Sequence, residues 1–82
     1  MFSVTMLDIK TAQPVFREMA SSVILPGEEG EFSILDFHQA FICCLKDGMI
    51  KIDEKSPVHI KKGIARMERN ELSILVEKNG EI

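Results

Sequence analysis

The amino-acid sequence predicts an all-β fold, a two-sheet antiparallel β-sandwich formed as one domain over residues 1–82. Short apolar stretches alternate with polar residues at the two-residue period of a strand. Turn signals recur at intervals of about eight to twelve residues, and no segment carries a 3.6-residue apolar period. Eight or more short strands fit this pattern.

The elements follow in order. Phe2, Val4 and Met6 alternate with Ser3 and Thr5, so Phe2 to Ile9 is expected as the first strand. After the polar break at Lys10 to Gln13 and Pro14, a longer extended stretch is expected from Val15 to Leu25, ambiguous over Met19 to Ser22. Pro26-Gly27-Glu28-Glu29-Gly30 reads as a tight exposed loop, because Pro and Gly supply turn geometry at its ends. Glu31 to Leu35 follows as a strand. Next come Ala40 to Leu45 and Met49 to Ile52, which Asp47-Gly48 is expected to join as a hairpin. Val58 and Ile60 alternate with His59 and Lys61, Gly63 interrupts, and Arg69-Asn70 turns the chain into Leu72, Ile74 and Val76. Three strands are expected over this last stretch.

Composition narrows the function. At 82 residues there is room for one core and no second domain. The 45% hydrophobic and 28% charged content is that of a folded protein rather than a disordered tail. Ten Lys and Arg against thirteen Asp and Glu give a net charge of −3, which disfavours a phosphate backbone, so no nucleic-acid partner is expected. No apolar run approaches the roughly 20 residues that cross a bilayer, and the N-terminus lacks the basic and apolar regions of a secretory signal. The expected location is therefore the cytoplasm or a surface facing it, without direct membrane insertion.

Candidate chemistry is sparse. His38 and His59 lie on or beside strands with no triad or nucleophile elbow around them. Cys43 and Cys44 are adjacent, which makes a bond between them strained, so both are expected as reduced thiols. On a strand they point to opposite faces, and at most one could meet His38 as a base. His38, Cys43 and Cys44 offer too few converging ligands for zinc, and Glu28, Glu29 and Glu31 lack calcium-loop spacing. No glycine-rich phosphate loop is present. The expectation is a protein without catalytic residues, metal or cofactor.

One block is distinctive. The run Val23-Ile24-Leu25-Pro26-Gly27-Glu28-Glu29-Gly30-Glu31-Phe32-Ser33-Ile34-Leu35, then His38 and an apolar strand to Leu45-Lys46-Asp47-Gly48, resembles the epsilon subunits of F-type ATP synthases. The opening strand Val4 to Ile9, the Phe16 to Ala20 pattern, Gly48 to Ile52 and Gly63 to Val76 follow in the family's order, so the resemblance spans nearly the whole chain. Asp36-Phe37 and Ala40 stand where members often have Pro-Gly and Pro, and Lys62-Gly63 where many have two glycines.

The resemblance implies a sandwich at the foot of the central stalk, peripheral to the cytoplasmic face of the bacterial inner membrane. There it would be a non-catalytic rotor part that couples ion-driven rotation of the c-ring to ATP synthesis in the catalytic head. Glu28, Glu29 and Glu31 match the loop that faces the c-ring. His38, Phe41, Ile42 and Cys43 match the region that meets the gamma subunit, with Phe41 or Ile42 as an exposed apolar anchor. The family's C-terminal helical hairpin would begin just after Val76, so a member lacking the hairpin's restraint on hydrolysis, and its ATP binding in some members, is expected. Two alternatives come from other classes. One is a free-standing β-sandwich that binds a small ligand or glycan, although the chain has no Trp or Tyr to form an aromatic platform. The other is a thiol enzyme built on Cys43 or Cys44.

Overall fold

A computed structural model describes residues 1–35 and 39–78. It contains eight strands, β1 (Phe2–Asp8), β2 (Pro14–Ala20), β3 (Val23–Gly27), β4 (Gly30–Ile34), β5 (Phe41–Leu45), β6 (Gly48–Ile52), β7 (Val58–Glu68) and β8 (Glu71–Lys78). Hydrogen bonding orders them β2-β1-β8-β7-β5-β3-β4, with β6 pairing β3 and β7. The all-β sandwich class is thus the observed one.

Alternation does its expected work at both ends of the chain. Phe2, Val4 and Met6 on β1 and Leu72, Ile74 and Val76 on β8 are all buried, while residues between them face outward. These side chains join Val23, Leu25, Ile34, Ile50, Ile52, Ala65 and Met67 in one apolar cluster, so the two halves of the folded sheet share a single core. Burying an aliphatic side chain of this size contributes about 1.5–3 kcal/mol. No buried polar side chain lacks a partner among the described residues. One pair departs from the antiparallel expectation: β1 runs parallel to β8, from Ser3 opposite Glu71 to Asp8 opposite Val76. The Ile9 N–H extends this ladder by donating to the Val76 carbonyl at 2.7 Å.

The extended stretch from Val15 to Leu25 is two strands. It breaks at Ser21-Ser22, whose N–H groups donate to the Asp53 carboxylate at 3.1 and 3.0 Å. The chain then leaves β1's partner ladder and enters the other half of the sandwich. Pro26-Gly27, expected in an exposed loop, is buried at the end of β3. Only Glu28-Glu29 separates the paired Gly27 and Gly30, because Pro26 still accepts from the Lys46 N–H at 2.9 Å and so remains in the ladder.

Asp47-Gly48 does not make a hairpin between β5 and β6. Both strands lie against β7, Leu45 opposite Gly63 and Gly48 opposite Ile60, in one continuous antiparallel register. They are two halves of one bent strand, and the hairpin comes later, at Asp53 to Pro57. Gly48 sits at the bend because a Cβ there would approach the Pro26 side chain to 2.8 Å. Where three strands were expected after Ser56, two occur. β7 continues through Gly63 and absorbs the interruption as a bulge, with its register against β8 shifting between Ile60 and Lys62. The bulge changes which residues face inward, from Val58 and Ile60 before it to Ala65 and Met67 after it, and leaves Lys61 and Lys62 both exposed. At the far end Arg69 and Asn70 form the expected two-residue turn, with φ of 53° and 67° suited to the twist of a hairpin.

Candidate functional site

The β3–β4 hairpin places Glu28, Glu29 and Glu31 together, all exposed. Glu28 and Glu29 form the tip, and Glu31 pairs with Pro26 on the flank of β4. The Glu28 N–H donates to the Cys44 carbonyl at 3.2 Å, which anchors the tip to β5. The carboxylates project from a backbone held in two ladders.

On β5 the alternation separates the four expected residues. Ile42 points outward and is 70% exposed. Phe41 and Cys43 are half-buried and pack against the core, with the Phe41 ring edge-on to Phe32 at 5.8 Å between centroids. Of the two possible apolar anchors, Ile42 is the one that faces solvent. His38, with Asp36 and Phe37, lies outside the described residues.

The two thiols differ as strand geometry requires. Cys44 is exposed and Cys43 half-buried, and both are free. Burial pushes the Cys43 thiol above the usual thiol range, and the neighbouring Cys44 adds to the shift. A raised value holds Cys43 in the poorly nucleophilic thiol form. Among the described residues no group of three or more His, Cys, Asp or Glu is gathered as metal ligands. His59, instead of lying beside a nucleophile, pairs through Nε2 with the Asp47 carboxylate at 2.9 Å, across the bend between β5 and β6.

The residues that were missed lie on the outer face of the same half-sheet. Cys44 is opposite Ile64, Ile64 opposite Leu75, and Leu75 opposite Leu7. Ile64 and Leu75 are each 45% exposed. With Ile9 they border a shallow groove of about 340 Å³, whose rim includes Glu28 and Lys62. The available signal was local: Leu75 is an apolar residue at an outward position of an otherwise regular alternation. Ile64 could not be placed the same way, because the bulge at Lys61-Lys62 hides the change of face.

Among the described residues no helix is long and apolar enough to cross a membrane. Residues 4–79 match the family described as the ATP synthase, Delta/Epsilon chain, beta-sandwich domain. An ATP synthase epsilon chain of Campylobacter curvus is 41% identical, over 87% of this chain and 59% of its own length. A chloroplastic ATP synthase epsilon chain of Thalassiosira pseudonana is 33% identical, over 85% of this chain and 57% of its own. The chain therefore spans under two thirds of the length of these relatives. In a cryo-EM structure of the Tetrahymena thermophila mitochondrial ATP synthase central stalk and c-ring, one chain shares the fold with a TM-score of 0.76 at 18% identity, over 93% of this chain and 63% of its own length. With nearly all of its strands inside the matched span, the chain belongs to the ATP synthase delta/epsilon family of β-sandwich domains.

Proposed function

We propose that this chain is a non-catalytic rotor subunit of the F-type ATP synthase central stalk, coupling ion-driven rotation of the c-ring to ATP synthesis in the catalytic head. The observation that supports this proposal, beyond family membership, is a single packed core that presents an acidic hairpin tip and, on another strand, an exposed apolar side chain. Glu28 and Glu29 form the tip between β3 and β4, and Glu31 lies exposed beside them on β4. Ile42 stands out from the sheet face. A body that passes torque between two partners must resist deformation, and close-packed interiors do.

The acidic tip is assigned to the polar loops of the c-ring, where carboxylates would meet basic or polar groups. The face of β5 is assigned to gamma, with Ile42 as its apolar anchor, Phe41 and Cys43 supporting it from the core side, and His38 beside it. The site would lie at the cytoplasmic face of the bacterial inner membrane, peripheral to the membrane sector.

The test is a pull-down of the tagged chain with purified gamma, followed by size-exclusion chromatography at moderate salt. A stable one-to-one complex is expected. If two folded proteins fail to associate, the chain is instead a free-standing ligand-binding sandwich.

A further inference from the structure

Among the described residues the hydrogen-bonded strand order ends on β2 at one side and on β4 at the other, so both present backbone N–H and C=O groups with no strand beyond them. β4 has five residues and opens on two exposed ones, Gly30 and Glu31. β2 is the longer edge, with seven residues, and it shows more apolar surface: Met19 is 49% exposed, and Val15 and Phe16 are only partly buried. Such an edge is a template for a second chain. Its register with β1 puts one charge in an unexpected place. Phe2 is opposite Ala20, Val4 opposite Glu18 and Met6 opposite Phe16. Phe2, Val4 and Met6 are all buried, so Ala20, Glu18 and Phe16 form the core-facing row of β2, with a carboxylate in its middle. The Glu18 side chain escapes over the rim of the sandwich, where it is 57% exposed and its Oε1 lies 3.3 Å from the Nζ of Lys55, in the turn between β6 and β7.

We infer that Glu18 keeps this chain from pairing with a second copy of itself along β2. The inference is independent of the partners proposed above. Two copies joined edge to edge about a twofold axis at Arg17 would set Arg17 opposite Arg17 and Glu18 opposite Phe16. The two sheets would run on as one, and each core-facing Glu18 would lie under the joint between the sandwiches, withdrawn from water and drawn away from Lys55. Moving the axis to Glu18 brings the two carboxylates face to face. Moving it to Phe16 relieves the arginines but leaves both carboxylates on the side where the cores meet, because side-chain direction repeats every second residue. Withdrawing an unpaired carboxylate from water opposes the hydrogen bonds that such a ladder would add. Pro14 supplies no N–H at the start of the strand, which shortens the ladder further.

Sedimentation velocity of the purified full chain over a wide concentration range tests this, with thermal melting to verify that each variant is folded. Wild type should stay a monomer. Glu18→Val leaves a continuous apolar row on a strand-favouring residue and should self-associate, its mean mass rising with concentration to about twice that of the monomer or beyond. Glu18→Thr, which removes the charge with less added apolar surface, should move in the same direction. Lys55→Met removes the ion pair but keeps the carboxylate, and should remain a monomer. Hydrogen exchange of the Glu18→Val assembly should show new protection of β2 amides. The inference is overturned by a folded Glu18→Val that stays monomeric, by equal self-association of wild type or of Lys55→Met, by protection gained only away from β2, or by loss of the fold in both Glu18 variants, which would make Glu18 a stabilising residue instead.

Discussion

Asp53 and Ser22 are joined reciprocally: the Asp53 carboxylate accepts the Ser22 N–H at 3.0 Å, and the Asp53 N–H donates to the Ser22 carbonyl at 3.0 Å. The same carboxylate also takes the Ser21 N–H. The break between β2 and β3 is thereby tied to the start of the β6–β7 turn, and Asp53 itself holds a φ of 48°. Asp53→Ala removes the acceptor and keeps the left-handed backbone, so it should cost about 1–2 kcal/mol, as loss of a capping oxygen does. Asp53→Asn retains one acceptor oxygen and tolerates this backbone, and should cost less. Urea unfolding of the three proteins checks the order wild type, Asn, Ala.

Gly63 lies between Leu45 and Val76 in the ladders of β7. A Cβ there would come within 2.6 Å of the Leu75 carbonyl oxygen, a backbone atom that cannot move aside alone. Gly63→Ala should destabilise the fold by about 1–3 kcal/mol, the range for overpacking. Chemical denaturation of wild type and variant measures the effect.

The two thiols should separate in an alkylation assay followed by mass spectrometry. Cys44, outward on β5, should react at the rate of an ordinary exposed cysteine, and Cys43 several-fold more slowly until the protein unfolds. Equal or accelerated labelling of Cys43 would revive a thiol-based activity.

Cys43 also has a consequence for pH. Its folded-state value is raised above the unfolded one, so the folded state holds the proton more tightly. Its contribution to stability is complete below the ordinary thiol value of about 8.5 and is lost as pH climbs through the raised folded value. Urea midpoints should therefore fall between pH 8 and 10 in wild type, and less in Cys43→Ala. Between pH 6 and 8 this residue should contribute no slope.

Replacing Glu28, Glu29 and Glu31 together with Ala should weaken attachment to the c-ring while changing stability by no more than about 0.5 kcal/mol, since all three are exposed. Co-sedimentation with c-ring-containing membranes at low and moderate salt reads the attachment. Normal assembly and coupling of the triple variant would reduce the tip to an ordinary solvated turn.

Part of the site was legible because surface chemistry is local. The glutamates follow a Pro-Gly punctuation and precede an apolar strand, so their exposure could be read from the chain. The opposition of Cys43 and Cys44 followed from strand geometry alone. The outward face of Ile64 did not, because the bulge at Lys61-Lys62 reverses inside and outside along β7. A Gly-containing stretch reads equally well as a strand break or a bulge, and its sense depends on β8 and on the bent β5–β6 strand packed beside it.

The sequence by itself determined the all-β class, the burial of Phe2, Val4 and Met6 and of Leu72, Ile74 and Val76, the Arg69-Asn70 turn, and the family. The class, the burial and the turn follow from which side chains leave water and which dihedral angles a residue tolerates, both properties of short segments, and the family from the order of the motifs along the chain. Only the tertiary structure decided that β1 lies parallel to β8, that β5 and β6 form one bent strand against β7, and that the outward residues of four strands align into one apolar row. Every strand offers the same backbone N–H and C=O groups, so the choice of partner and register comes from how all the apolar faces close over one core at once.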